Sequence, residues 1–292
     1  MGGEVMEIIV GKTAGFCYGV KNAVDKSEEE LKNGNKICCL GEIVHNSKVV
    51  KNLEEKGIKF IDSLEENTKK DKTIIRAHGI SKSVYKLAEE MGIELVDLTC
   101  PNVLKIHKVV SEHEKNGYFI MVIGNKNHPE TLGTISFCGE NYCVIENDTE
   151  IKESVEKFKN SNKQNLLIIV QTTFSLEKFN KYIEIIKAEI NDEHKHIEIC
   201  NSICNATRIR QEETEKISKN VDYMIIIGGK NSSNTKKLYE IASKNCTNVI
   251  CIEDVSEINK ELLQNVNVIG IMAGASTPQY SIKEVVDLLK NT

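Results

Sequence analysis

Apolar runs of three to six residues recur along the chain, each followed by a polar or glycine-bearing loop and then a segment with apolar positions three and four apart. Short continuous apolar runs bounded by turn residues read as buried strands, and the three-four spacing reads as amphipathic helices. The first pass predicts a strand at Ile8-Ile9-Val10, a loop ending at Cys17, a helix over Val20–Leu31 and a strand at Ile37–Leu40. Helix Val49–Lys56, strands Ile58–Ile61 and Thr73–Ile75, helix Ser83–Met91 and a strand before Cys100 complete it.

The same order returns twice. After Cys100 come helix Val103–Lys115, strand Tyr118–Ile123, strand Tyr142–Ile145, helix Ile151–Phe158, strand Leu166–Val170 and helix Glu177–Ile190. After Cys204 come helix Ile209–Lys219, strand Tyr223–Ile227, helix Lys236–Ser243, strands Val249–Ile252 and Val266–Met272, and helix Ser281–Leu289. A separation of 28 positions links Cys17 to His45, Cys100 to His128 and Cys204 to Ser232. A separation of 72 links Cys100 to Thr172 and Cys204 to Ser276, against 61 from Cys17 to His78 in the shorter first pass.

Strand–loop–helix alternation with short connections predicts parallel sheets with helices outside. The expected fold is therefore α/β, with three pseudo-threefold-related parallel-sheet units in a trefoil around a common centre. The boundaries are 1–98, 99–200 and 201–280, with 281–292 as a C-terminal helix packing back toward the first unit. Ligands of open α/β sheets gather at the carboxyl ends of the strands, where all the loops just described lie.

Three cysteines in repeat register at strand-to-helix junctions suit a metal centre, because unpaired N–H groups and the helix dipole favour a thiolate there. Cys17, Cys100 and Cys204 can hold three irons of a [4Fe–4S] cluster, or a zinc ion with an open fourth position, or can simply be buried. Their spacing is neither a ferredoxin run nor a zinc-finger pattern. The other seven cysteines (Cys38, Cys39, Cys138, Cys143, Cys200, Cys246 and Cys251) have no repeat echo and are expected to pack. His45, His78 and His128 sit in strand-end loops, whereas His107, His113, His194 and His196 are expected to face solvent. Thr172, Thr173, Ser232, Ser233, Asn234, Ser276 and Thr277 at helix starts serve as caps, and such helix starts also form an anion site for a phosphate. Glu130, after Pro129, is a first-turn acid; among anionic ligands its pKa would rise, making it a candidate proton donor.

Composition narrows the partners. A net charge of −5 argues against nucleic acid, which calls for a basic surface. No apolar run approaches the roughly 18 residues of a membrane helix, and Glu4 and Glu7 lead straight into a strand rather than a secretory signal. Ten cysteines without such a signal indicate thiols in a reducing cytosol, so a cytoplasmic protein is expected. Gly228-Gly229 lacks the GxGxxG spacing of a dinucleotide site.

Several motifs together resemble the 4-hydroxy-3-methylbut-2-enyl diphosphate reductase family of the methylerythritol phosphate route to isoprenoids. They are Phe16-Cys17-Tyr18-Gly19-Val20, Gly41-Glu42-Ile43-Val44-His45-Asn46, Arg76-Ala77-His78-Gly79, Asp97-Leu98-Thr99-Cys100-Pro101 and His128-Pro129-Glu130. Gln171-Thr172-Thr173, Ser202-Ile203-Cys204-Asn205-Ala206-Thr207, Asn231-Ser232-Ser233-Asn234 and Ala273-Gly274-Ala275-Ser276-Thr277-Pro278 continue the match along the whole chain. Tyr18 and Asn127 depart from it, standing where small residues are frequent. The resemblance implies one [4Fe–4S] cluster on Cys17, Cys100 and Cys204 with one open iron. It implies a diphosphate held by His45, His78, His128, Ser232, Asn234 and Ser276 with Ser233 and Thr172 alongside, and protons delivered by Glu130 with Thr172. The implied reaction takes two electrons and two protons from a reduced ferredoxin or flavodoxin and solvent, and yields isopentenyl or dimethylallyl diphosphate and water. A cluster-holding electron carrier and a metal-dependent phosphate-ester hydrolase are the competing classes; an electron carrier alone has no need of Glu130 and a donor-rich anion pocket.

Overall fold

The computed structural model describes residues 6–264 and 266–291; Glu4 lies outside the described residues. It contains three four-stranded parallel sheets with helices between the strands, an α/β architecture. In chain order the first elements are β1 (Glu7–Val10), α1 (Tyr18–Lys32), β2 (Ile37–Leu40), α2 (Ser47–Glu55), β3 (Lys59–Ile61), β4 (Lys72–Ile75), α3 (Lys82–Met91) and β5 (Leu95–Asp97). The next are α4 (Pro101–Lys115), β6 (Phe119–Ile123), α5 (Pro129–Ile135), β7 (Tyr142–Ile145), α6 (Ile151–Asn160), β8 (Asn165–Val170), α7 (Leu176–Ile190) and β9 (His196–Cys200). The last are α8 (Asn205–Ser218), β10 (Tyr223–Ile227), α9 (Ser233–Asn245), β11 (Val249–Ile252), β12 (Val268–Ala273) and α10 (Gln279–Lys290).

By contact density the chain forms two compact units. One comprises Asn22–Ile43 and Gly57–Cys204 and holds the sheets β3-β2-β4-β5 and β7-β6-β8-β9. Its β8 explains why parallel strands read as unbroken apolar runs. Leu166, Ile168 and Val170 pack with Phe158, Phe179 and Ile186 on one face, while Leu167 and Ile169 pack with Ile106 and Val110 on the other. Successive side chains point to opposite faces, and helices cover both, so every position is apolar. Burying each such side chain stabilises by about 1.5–3 kcal/mol.

The other unit comprises Met1–Lys21, Val44–Lys56 and Asn205–Thr292 and holds the sheet β1-β12-β10-β11. β1 pairs in parallel with β12, Glu7 opposite Val268 and Val10 opposite Ile271. The strand read as part of residues 1–98 therefore completes the sheet built from the last third of the chain. Ile8 packs into the cluster where α10 buries Ile282, Val285 and Leu289, and that long-range apolar contact outweighs proximity in sequence. The opposite face of this sheet packs Met224, Ile226 and Met272 against Ile217 of α8 and Leu238 and Ala242 of α9.

Several helices begin earlier than their apolar spacing predicts, and at α9 a cap rather than a core residue sets the start. α8 begins at Asn205, directly after Cys204, and α9 at Ser233, where the Ser232 hydroxyl accepts from the Thr235 N–H at 3.3 Å. Among the described residues no helix is long and apolar enough to cross a membrane.

Candidate functional site

Each of the three repeat cysteines stands immediately before a helix: Cys17 before α1, Cys100 as the N-cap of α4 with Pro101 behind it, and Cys204 before α8. All three are half-buried, and no disulfide joins any cysteine. Their backbones are anchored to neighbouring strand-end loops. Cys17 donates to the Ala275 carbonyl at 3.0 Å, Cys100 to the Ala77 carbonyl at 3.0 Å and Cys204 to the Thr172 carbonyl at 3.1 Å. Six of the remaining seven have thiols held up by burial: Cys39 and Cys138 at about 12, Cys143 at about 11, and Cys38, Cys200 and Cys251 raised as well. Such thiols stay protonated and serve as packing groups. The seventh, Cys246, is buried and lends its thiol to the carbonyls of Val221, Asp222 and Asn248.

The unit of residues 22–43 and 57–204 gathers Cys100, Cys204, His78, His128, Glu130 and Thr172. His128 caps α5, its Nδ1 accepting from the Glu130 N–H at 3.2 Å. A neutral ring bonded this way carries its proton on Nε2, leaving that nitrogen as the donor. The His78 ring meets it edge-on, centroids 5.3 Å apart. Glu130 is 2% exposed. The Thr172 N–H donates to its Oε1 at 2.7 Å and the Thr172 hydroxyl to its Oε2 at 2.7 Å. Burial pushes this carboxyl up from 4.5 to about 7, against the two Thr172 bonds, which pull it down. A carboxyl that titrates near neutrality can both carry and release a proton at working pH.

The other unit gathers Cys17, His45, Ser232, Ser233, Asn234 and Ser276. The Ser276 hydroxyl donates to the His45 carbonyl at 3.2 Å, and Ser276 adjoins Ala275, the acceptor for Cys17. Asn46, after His45, caps α2 by accepting from the Val49 N–H at 3.2 Å. The loop before α9 lies so close to His45 that a Cβ on Gly229 would fall 2.2 Å from the His45 carbonyl oxygen; only glycine allows that approach. Asn234, in the first turn of α9, is 3% exposed, and neither its Oδ1 nor its Nδ2 has a hydrogen-bond partner among the described residues. An amide buried without partners costs about 1–3 kcal/mol per group, a cost that a ligand supplying both partners would remove.

Three placements differ from the sequence reading or escape it. His107 does not face solvent: it is 5% exposed and stacked on Phe137 with centroids 4.6 Å apart, and burial lowers its pKa to about 4. Its position on the buried stripe Val103, Ile106, His107 and Val110 of α4 carries the signal, since that spacing marks the inner face of the helix. His113 is half-buried beside Glu198, its Nε2 3.1 Å from Oε2. Ser202, read only as part of a motif, ties the Cys204 loop to β8 through Val170, a long-range pairing with no local signature.

Residues 8–290 match the LytB protein family. The 4-hydroxy-3-methylbut-2-enyl diphosphate reductase of Caldanaerobacter subterraneus subsp. tengcongensis is 43% identical over 290 residues, spanning 98% of this chain and 97% of that protein. The same-named protein of Clostridioides difficile is 40% identical, spanning 98% of this chain and all of that one. The solved E-1-hydroxy-2-methyl-but-2-enyl-4-diphosphate reductase from Plasmodium falciparum superposes with a TM-score of 0.89 at 32% identity, covering 97% of this chain and 87% of that one. A solved (E)-4-hydroxy-3-methyl-but-2-enyl diphosphate reductase, titled the terminal enzyme of the non-mevalonate pathway, gives 0.70 at 37% identity, covering 98% and 100%.

Proposed function

The chain belongs to the LytB protein family of 4-hydroxy-3-methylbut-2-enyl diphosphate reductases, and from that premise we propose that it removes the hydroxyl of (E)-4-hydroxy-3-methylbut-2-enyl diphosphate. Two electrons and two protons enter; the allylic C–O bond breaks; water leaves, and isopentenyl or dimethylallyl diphosphate remains. The observation that carries this reading is the Glu130–Thr172 pair. A carboxyl titrating at about 7 is hydrogen-bonded to the residue whose carbonyl takes the Cys204 N–H.

Cys17, Cys100 and Cys204 would hold a [4Fe–4S] cluster with one iron left without a protein ligand. The donor set fits, because three half-buried thiols each precede a helix and are soft ligands suited to iron–sulfur chemistry. When bound, such a cluster passes electrons and acts as a Lewis acid. Electrons come from a reduced ferredoxin or flavodoxin.

The chain's own residues do the rest. His45, His78, His128, Thr172, Ser232, Ser233, Asn234 and Ser276 bind the diphosphate with hydrogen-bond donors and helix N-termini. Holding the anionic end fixes the orientation of the reacting carbon before reduction. Glu130 delivers protons to the departing oxygen, with the Thr172 hydroxyl aligning its Oε2.

Anaerobically purified protein is expected to be brown, with about four irons and four sulfides per chain, and to reduce the hydroxylated diphosphate when given a chemical reductant. A colourless, zinc-containing preparation that hydrolyses the diphosphate ester without reducing the allylic carbon would instead indicate the metal-dependent hydrolase. A brown protein that passes electrons but leaves the diphosphate unchanged would indicate the electron carrier. Asn234→Ala separates ligand binding from folding: KM for the diphosphate should rise about tenfold or more, while urea midpoints of the ligand-free chain stay level or rise because two unpartnered buried groups are gone. A fall in ligand-free stability with unchanged KM would assign Asn234 to the scaffold.

A further inference from the structure

β9 leaves its sheet early. Its last residue in register is Cys200, opposite Ile169, so the ladder ends there and the outward carbonyl of Val170 has no strand residue beyond it. The Ser202 side chain takes that place: its hydroxyl accepts from the Val170 N–H at 3.1 Å and donates to the Val170 carbonyl. Two residues on, the Cys204 N–H donates to the carbonyl of Thr172, two residues beyond Val170. Asn201, just before the first rung, closes a turn across it, its Oδ1 accepting from the Ile203 N–H at 3.1 Å. Residues 202–204 are thus fastened to residues 170–172 at both ends. Thr172 is at the same time the residue whose N–H and hydroxyl hold Glu130.

We propose that Ser202 is a positioning residue that sets the distance between the Cys204 thiol and the Glu130 carboxyl, by extending β8's ladder one rung past the end of β9. This rests on the reading of Cys204 as a metal ligand and Glu130 as the proton donor. The physical argument is local. A backbone carbonyl at a strand end needs a partner, and a hydroxyl can donate to it. Without the hydroxyl the loop carrying Cys204 loses its fastening at Val170 and keeps its turn and the rung at Thr172. A loop with fewer tertiary bonds opens more often.

The test separates this inference from the assignment of function by using protein without metal. In the unsubstituted chain the Cys204 amide, bonded to the Thr172 carbonyl past the end of β9, should exchange slowly, and it should quicken in Ser202→Ala; rapid exchange there in the unsubstituted chain overturns the proposal. In Ser202→Ala, alkylation of Cys204 in the metal-free chain should quicken about five- to tenfold relative to Cys100, and Ser202→Thr, which keeps the hydroxyl, should restore the slow rate. An unchanged rate in the alanine chain, or failure of threonine to restore it, also overturns the proposal. In the metal-loaded protein, Ser202→Ala should lose iron to a chelator several-fold faster and lower kcat with little change in KM, since Ser202 holds no part of the substrate. A raised KM with kcat intact would make Ser202 a binding residue and would overturn the positioning role.

Discussion

Glu130→Gln is expected to lower kcat by about 10²- to 10⁴-fold, the range a positioned proton donor contributes, while leaving the fold and metal content intact. The amide is the right shape for this test. Its oxygen accepts the Thr172 N–H as Oε1 does now, and its nitrogen donates to the Thr172 hydroxyl, mimicking the protonated acid. Only the transferable proton is lost. The same substitution has an opposite effect on stability. Because the folded chain holds the Glu130 proton up to about pH 7 against an ordinary 4.5, stability from this group is fully present below about 4.5 and falls as pH rises through 7. The loss amounts to about 3 kcal/mol, the linkage equivalent of that shift. Metal-free Glu130→Gln should therefore be more stable than the unsubstituted chain at pH 8 and nearly equal to it at pH 4.5, measured by urea denaturation. Unchanged turnover would remove Glu130 from the chemistry. Equal stability at both pH values would show that the carboxyl stays solvated.

Substituting serine for Cys17, Cys100 or Cys204 is expected to have the largest effect of all on metal content and reduction. Each change should strip most of the iron and abolish measurable turnover, because a serine hydroxyl is a poor ligand for iron–sulfur chemistry. Cys38→Ser is the control. Cys38 is buried beside Leu40, Ile61 and Ile75, and burial raises its thiol, so serine there should cost stability but leave iron bound. Iron and sulfide analysis of the four variants decides it. Equal losses in all four would mean that metal content follows folding in general rather than ligation.

His45, His128 and Ser232 stand out because each lies 28 positions after its cysteine, and Thr172 and Ser276 because each lies 72 after; His78, at 61, keeps the order but not the interval. The repeat also predicts the three parallel sheets. Strands buried on both faces must be apolar at every position, and that leaves a mark in any sequence. Helix starts at Asn205 and Ser233 were harder to place, since caps are single polar residues and the apolar spacing begins a turn later.

The sequence by itself determined that there would be strands ending in polar loops, three cysteines just before helices and a candidate acid after Pro129, because these depend on local period and residue type. Tertiary structure alone decided that β1 completes the sheet of the last third of the chain, since that pairing is chosen by apolar contact across 261 positions between Glu7 and Val268. It also decided the burial of His107 and the pinning of Ser202 on Val170. Above all it decided the state of Glu130: a glutamate one residue past a proline reads the same whether solvated or enclosed. Only its enclosure, with Thr172 as the partner 42 positions away, lifts its proton affinity into the range where an acid can act.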